Sequence, residues 1–176
     1  TEPVSRAEAD QRRGRAGRVA PGVCYRLWSR GQEGALPAFP PAEIEAADLA
    51  GLALELANWG ATEALRFLTP PPARAMTEAR ALLRDLGALD AEGRITDHGR
   101  DLVRLPLHPR LGHLLRRGGP GAARLAALLS DRDPLRGAGT DLALRLRALD
   151  TPGAADRATV SRIREEARRL ERHEAG

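Results

Sequence analysis

At 176 residues the chain is long enough for one medium domain or two small ones, and its 28 Lys and Arg against 24 Asp and Glu leave a net charge of +4, which permits nucleic-acid binding. Lysine is absent, so every one of those cations is arginine, and a phosphate-cradling Gly-Lys-Ser/Thr loop is excluded. No apolar run is long enough to span a membrane, the single Cys24 rules out an internal disulfide, and 3% aromatic content argues against a base-stacking platform.

The first dense signal is Gln11-Arg12-Arg13-Gly14-Arg15-Ala16-Gly17-Arg18. Glycine lets a backbone turn tightly and approach a ligand closely. Arginine presents a planar, permanently charged fork that suits phosphate oxygens. The stretch therefore predicts a loop built to grip a polyphosphate, with Glu8, Asp10 and Gln11 able to open a short helix before it. Pro21-Gly22 is a turn signal, and residues 23–28 alternate partly in the manner of a strand. That strand would bury Cys24 and use Tyr25 and Trp28 for packing. Residues 29–34 are polar and Gly-rich, a loop. The Pro40-Pro41 pair ends a rigid connector and sets the first domain boundary after residue 38.

Residues 39–105 predict a small helical domain. A helix over 46–59 carries Leu49, Leu52, Leu56 and Trp59 on one side and stops at Gly60. A short helix follows over 61–67, then a proline break. The next helix, over 73–86, turns Met76, Ala79, Leu82, Leu83 and Leu86 inward. Residues 88–95 read as a β-hairpin, and Thr96 caps a last helix reaching residue 105. Helix, helix, helix, hairpin is the order of a winged helix.

Residues 106–150 predict an all-helical domain. Pro109 suits a helix's first turn, with Leu111, Leu114 and Leu115 on one face. A second helix turns Leu125, Ala126, Leu128 and Leu129 inward, a polar turn occupies 130–134, and a third helix spans 141–149. Over 151–176, Val160, Ile163, Ala167 and Leu170 recur with heptad-like spacing, the helical start of a further region. Glu165-Glu166 reads as a solvated face. None of His98, His108, His113 and His173 sits with Cys or carboxylates at metal-ligand spacing.

The order Gln-Arg-x-Gly-Arg-x-Gly-Arg at 11–18 resembles motif VI of the DEAH-box branch of superfamily 2 helicases. Leu86-Gly87-Ala88-Leu89 and Ile95-Thr96-Asp97-His98-Gly99-Arg100 resemble segments of that family's winged helix. Residues 105–111 and 130–135 are similar to its bacterial HrpB-type subgroup. The resemblance implies a mainly α fold: residues 1–38 as the tail of the second RecA-like α/β lobe, 39–105 as the winged helix and 106–150 as the ratchet domain lining a nucleic-acid channel. It implies Arg15 and Arg18 as arginine fingers on the γ-phosphate of ATP, and Gln11 as the polar group beside that phosphate and the attacking water. Arg12 would tie the motif to its own lobe, and Arg13 fills a variable position. A RecA-like lobe needs more chain before residue 11, so the sequence reads as a fragment. It lacks both the lysine loop and an Asp-Glu-x-His box. ATP and Mg²⁺ are thus expected in the full-length protein, with the fragment alone inactive. The implied partners are RNA or single-stranded nucleic acid and the first RecA-like lobe of the same parent chain, in the cytoplasm. A winged-helix DNA-binding regulator with a basic N-terminal arm is the alternative. It accounts for the charge and the middle domain but not for the motif order or the helices after the wing.

Overall fold

The structure, a computed structural model, describes residues 4–60, 65–151, 153 and 155–174. They form a mainly helical protein of two compact units, Thr1–Ala47 and Asp48–Gly176. The division falls beyond the proline connector, where residues 47–49 interrupt the helix expected over 46–59.

The first unit contains α1 (Arg6–Ala16), α2 (Arg30–Ala35) and α3 (Glu43–Ala46). Helix α1 starts at a reciprocal cap: Ser5 Oγ accepts from Glu8 N at 3.2 Å while Ser5 N donates to Glu8 Oε2 at 2.8 Å. Gly17 is its C-cap. The arginine stretch is therefore no loop. Its first six residues are the C-terminal part of a helix, because arginine is a good helix former and cations favour the negative end of the helix dipole. Residues 29–34 are not a loop either: Ser29 and Gln32 form a second reciprocal cap and start α2.

The strand expected over 23–28 does not form. Residues 21–28 have no regular secondary structure and take part in no backbone–backbone hydrogen bond among the described residues. A strand needs a neighbour for its ladder, and the described residues offer none. Cys24 and Tyr25 are exposed, against expectation, and Trp28 is half-buried.

The second unit opens with α4 (Ala50–Trp59), preceded by its N-cap Leu49, which is buried as expected; within the helix Ala50, Ala53 and Leu54 are buried, Leu52 and Leu56 are half-buried and Trp59 is 76% exposed. Gly60 ends it in the left-handed conformation, φ 68°. Most of the short helix expected over 61–67 lies outside the described residues, and residues 65–67 are not helical. Helix α5 (Ala73–Asp85) follows, with Met76, Ala79 and Leu83 buried. The wing is a single antiparallel bridge, Leu89 to Ile95, closed by a turn in which Asp90 N donates to Arg94 O at 2.9 Å. Thr96 caps α6 (Asp97–Val103), accepting from Gly99 N at 3.1 Å.

Four more helices complete the unit: α7 (Pro109–Arg117), α8 (Ala122–Ser130), α9 (Leu142–Asp150) and α10 (Arg157–Glu174). Pro109 occupies the first turn of α7 as expected. Helix α8 buries Ala122, Ala123, Ala126, Ala127 and Leu128, whereas Leu129, expected inside, is 46% exposed. The stripe Val160, Ile163, Ala167 and Leu170 is buried, and α10 packs along α8 with further contacts to α9 and α7. It thus completes the helical layer. Helices α4 and α6 pack on α7, so winged-helix and helical layers share one core.

Candidate functional site

Gln11 and Arg15 stand one turn apart on α1, at positions that face the same way on a helix. Arg18 follows the Gly17 cap and is not helical. All three are exposed, and among the described residues neither Arg15 nor Arg18 forms an ion pair. Arg13, in the variable position, is 3.5 Å from Asp10. At 3.6 residues per turn, Asp10 and Arg13 lie about 100–160° around the axis from Gln11 and Arg15. One side of α1 is therefore held by carboxylate contacts and the other presents an amide and a guanidinium that pairs with no carboxylate among the described residues.

Three contacts fix α1 in its unit. Arg6 N and Ala7 N donate to the carbonyls of Pro37 and Ala38 at 2.9 and 3.1 Å. Arg26 spreads its fork between Asp10, at 2.6 Å, and Glu33 on α2. Gly22 approaches the end of α1 so closely that a Cβ there would lie 1.9 Å from the carbonyl oxygen of Ala16. At the start of the helix, hydrogen bonds from Ser5 hold the Glu8 carboxyl below its ordinary range.

Arg26 was not singled out by sequence. Two histidine contacts also escaped, because their partners are distant in sequence. His98 Nε2 meets His113 Nδ1 at 2.9 Å across α6 and α7, and burial followed by His113 lowers the His98 pKa. His108 Nδ1 accepts from Arg110 N, which leaves Nε2 toward Asp48 Oδ2 at 3.3 Å. The Asp48 carboxyl is held low, first by its bond from Ala50 N. Among the described residues no three His, Cys, Asp or Glu side chains gather to hold a metal ion, and no helix is long and apolar enough to cross a membrane.

The second unit's bridge, capped helix and helical layer define a helicase-associated region: residues 79–107 match the model of the helicase-associated domain HA2, winged-helix. The probable ATP-dependent RNA helicase DHX35 of Homo sapiens is 39% identical over 120 residues, 66% of this chain and 17% of that protein. The pre-mRNA-splicing factor ATP-dependent RNA helicase prp22 of Schizosaccharomyces pombe is 41% identical over 117 residues, 64% of this chain and 10% of that protein. The crystal structure of the Escherichia coli DEAH/RHA helicase HrpB superposes on 99% of this chain and 22% of its own, with TM-score 0.80 and 28% identity. The chain thus spans less than a quarter of the proteins it matches. Its similarity is to one part of the DEAH-box helicases.

Proposed function

We propose that this chain is the part of an ATP-dependent RNA helicase that presents arginines to a nucleotide held on the first RecA-like lobe and contributes one wall of the nucleic-acid path. The observation that carries this reading is the order Gln-Arg-x-Gly-Arg-x-Gly-Arg on an exposed helix end, with Gln11 and Arg15 on one face and Arg15 in no ion pair among the described residues. Those groups fit a polyphosphate: Arg15 and Arg18 offer forks to γ-oxygens, and Gln11 can orient a water beside them. ATP with Mg²⁺ supplies the phosphoryl group, held by groups outside this chain. Charge grows on the γ-oxygens during transfer, so a guanidinium already in place stabilises that charge without reorganising. The relatives named above are helicases, which favours this reading over the DNA-binding regulator.

In the full-length parent, Arg15→Ala is expected to lower kcat for RNA-stimulated ATP hydrolysis by about 10³–10⁵ while ATP binding persists. Arg15→Lys is not expected to rescue it, since a point charge cannot reproduce a fork. Arg13→Ala removes only an exposed ion pair and should cost little. Single-turnover hydrolysis separates these cases. Equal loss in Arg13→Ala and Arg15→Ala would mean that the helix acts through folding or bulk charge.

A further inference from the structure

We propose that Arg26, with Gly22, is a positioning residue for the arginine face of α1. The inference rests on the reading of that face as nucleotide-facing and adds to it a group that never touches the nucleotide.

In the segment between α1 and α2, Val23, Tyr25 and Leu27 are 75–93% exposed and Cys24 is exposed too, whereas Arg26 and Trp28 are half-buried. Gly22 closes on the Ala16 carbonyl, and Arg26, its side chain only 20% exposed, reaches both α1 and α2. Asp10, which Arg26 grips, immediately precedes Gln11.

The geometry makes this contact a rotational lock. The cap at Ser5 and the bonds to Pro37 and Ala38 hold only the first turn of α1, and Arg26 adds a hold further along it. Arg26 binds Asp10 in the middle, about 100° around the axis from Gln11 and about 140° from Arg15. Gly22 stops the C-terminal end from shifting toward the segment. A roll of the helix would swing the Arg15 guanidinium furthest, because a long side chain multiplies a small rotation of its backbone. Arg26 is suited to this task as lysine is not: its fork reaches two carboxylates on two elements at once, and Glu33 anchors the end that Asp10 does not use. The three acid–base partners are a closed set, Asp10 and Glu33 about Arg26, with Arg13 as an outer contact on Asp10.

The test uses the full-length parent with saturating RNA and Mg²⁺-ATP. Arg26→Ala is expected to lower kcat about tenfold to a hundredfold, the loss that displacement of a catalytic group by about 1 Å can bring, with KM for ATP within about twofold. Arg26→Lys should recover part of that loss. Asp10→Asn, at an exposed residue whose change leaves the core intact, should lower kcat in the same direction and decides the matter if Arg26→Ala does not fold. Gly22→Ala should resemble Arg26→Ala. The discriminating variant combines Arg26→Ala with Arg15→Ala: if Arg26 acts through Arg15, the double variant is no slower than Arg15→Ala alone. A multiplicative loss overturns the positioning role. So does wild-type kcat in both Arg26→Ala and Asp10→Asn when Arg15→Ala is inactive. Wild-type turnover in Arg15→Ala instead overturns the nucleotide-facing reading itself.

Discussion

A methyl group added to Gly99 would lie 2.3 Å from the Ala88 carbonyl oxygen and 2.7 Å from Cγ1 of Ile95. Gly99 sits in the first turn of α6, where Thr96 holds it against the wing bridge. One of the two contacts is backbone, so no rotamer change relieves it. Gly99→Ala is therefore expected to destabilise the protein by about 1–3 kcal/mol, as overpacking generally does, and thermal melting checks it. An unchanged Tm would show that α6 can slide off the bridge. Thr96 was legible as a cap because the signal is local, a hydroxyl residue just before a helix. The reason for Gly99 was not legible, since the crowding atoms belong to another element. Arg26 escaped for the same reason: ionic contacts between elements have no period in sequence.

Among the elements, α10 shows what spacing can and cannot tell. The stripe Val160, Ile163, Ala167 and Leu170 was readable from its period, and all four are buried. Its partner was not, because a period names a face without naming what covers it. Ile163 is fully buried, so Ile163→Ala is expected to cost about 2–5 kcal/mol in urea unfolding. A loss below about 1 kcal/mol would mean that α10 docks only loosely on α8. Helix α9 departs from the usual pattern: Arg145 is buried while Leu142 and Leu144 are about two-fifths exposed. The polar turn after α8 explains the inversion. Asp133 takes two bonds from Arg145, at 2.9 and 2.5 Å, and Asp131 takes two from Arg162 of α10, at 3.1 and 2.9 Å. Arg145 and Arg162 hold the Asp133 and Asp131 carboxyls below their ordinary range. A depressed folded-state pKa gives stability that is complete above the unfolded value and lost as pH falls through the folded one. Stability should thus decline below about pH 4. Urea midpoints of the wild type and Asp133→Asn at neutral and acid pH test this. The variant should lose less on acidification, and an identical decline would place the pH dependence elsewhere.

For the whole molecule, the two units differ in how completely their own residues satisfy them. Helices, caps and core of the second were largely legible because a helix makes its hydrogen bonds within itself and reports its buried face by period. The first unit was legible in chemistry but not in form. Its motif order was readable, yet the motif is helix where glycines suggested a loop. Its one strand-like segment has no ladder among the described residues, and most of it is exposed. That open segment has a consequence for handling the isolated chain. Solvent-exposed backbone groups beside Val23, Tyr25 and Leu27, with no backbone partner among the described residues, make an adhesive edge on which two copies could pair. Concentrated solutions of this chain alone are expected to scatter light increasingly with time. Tyr25→Lys, which places a charge on the edge while leaving Arg26 untouched, should suppress that scattering, and equal scattering by both proteins would locate the stickiness on another surface.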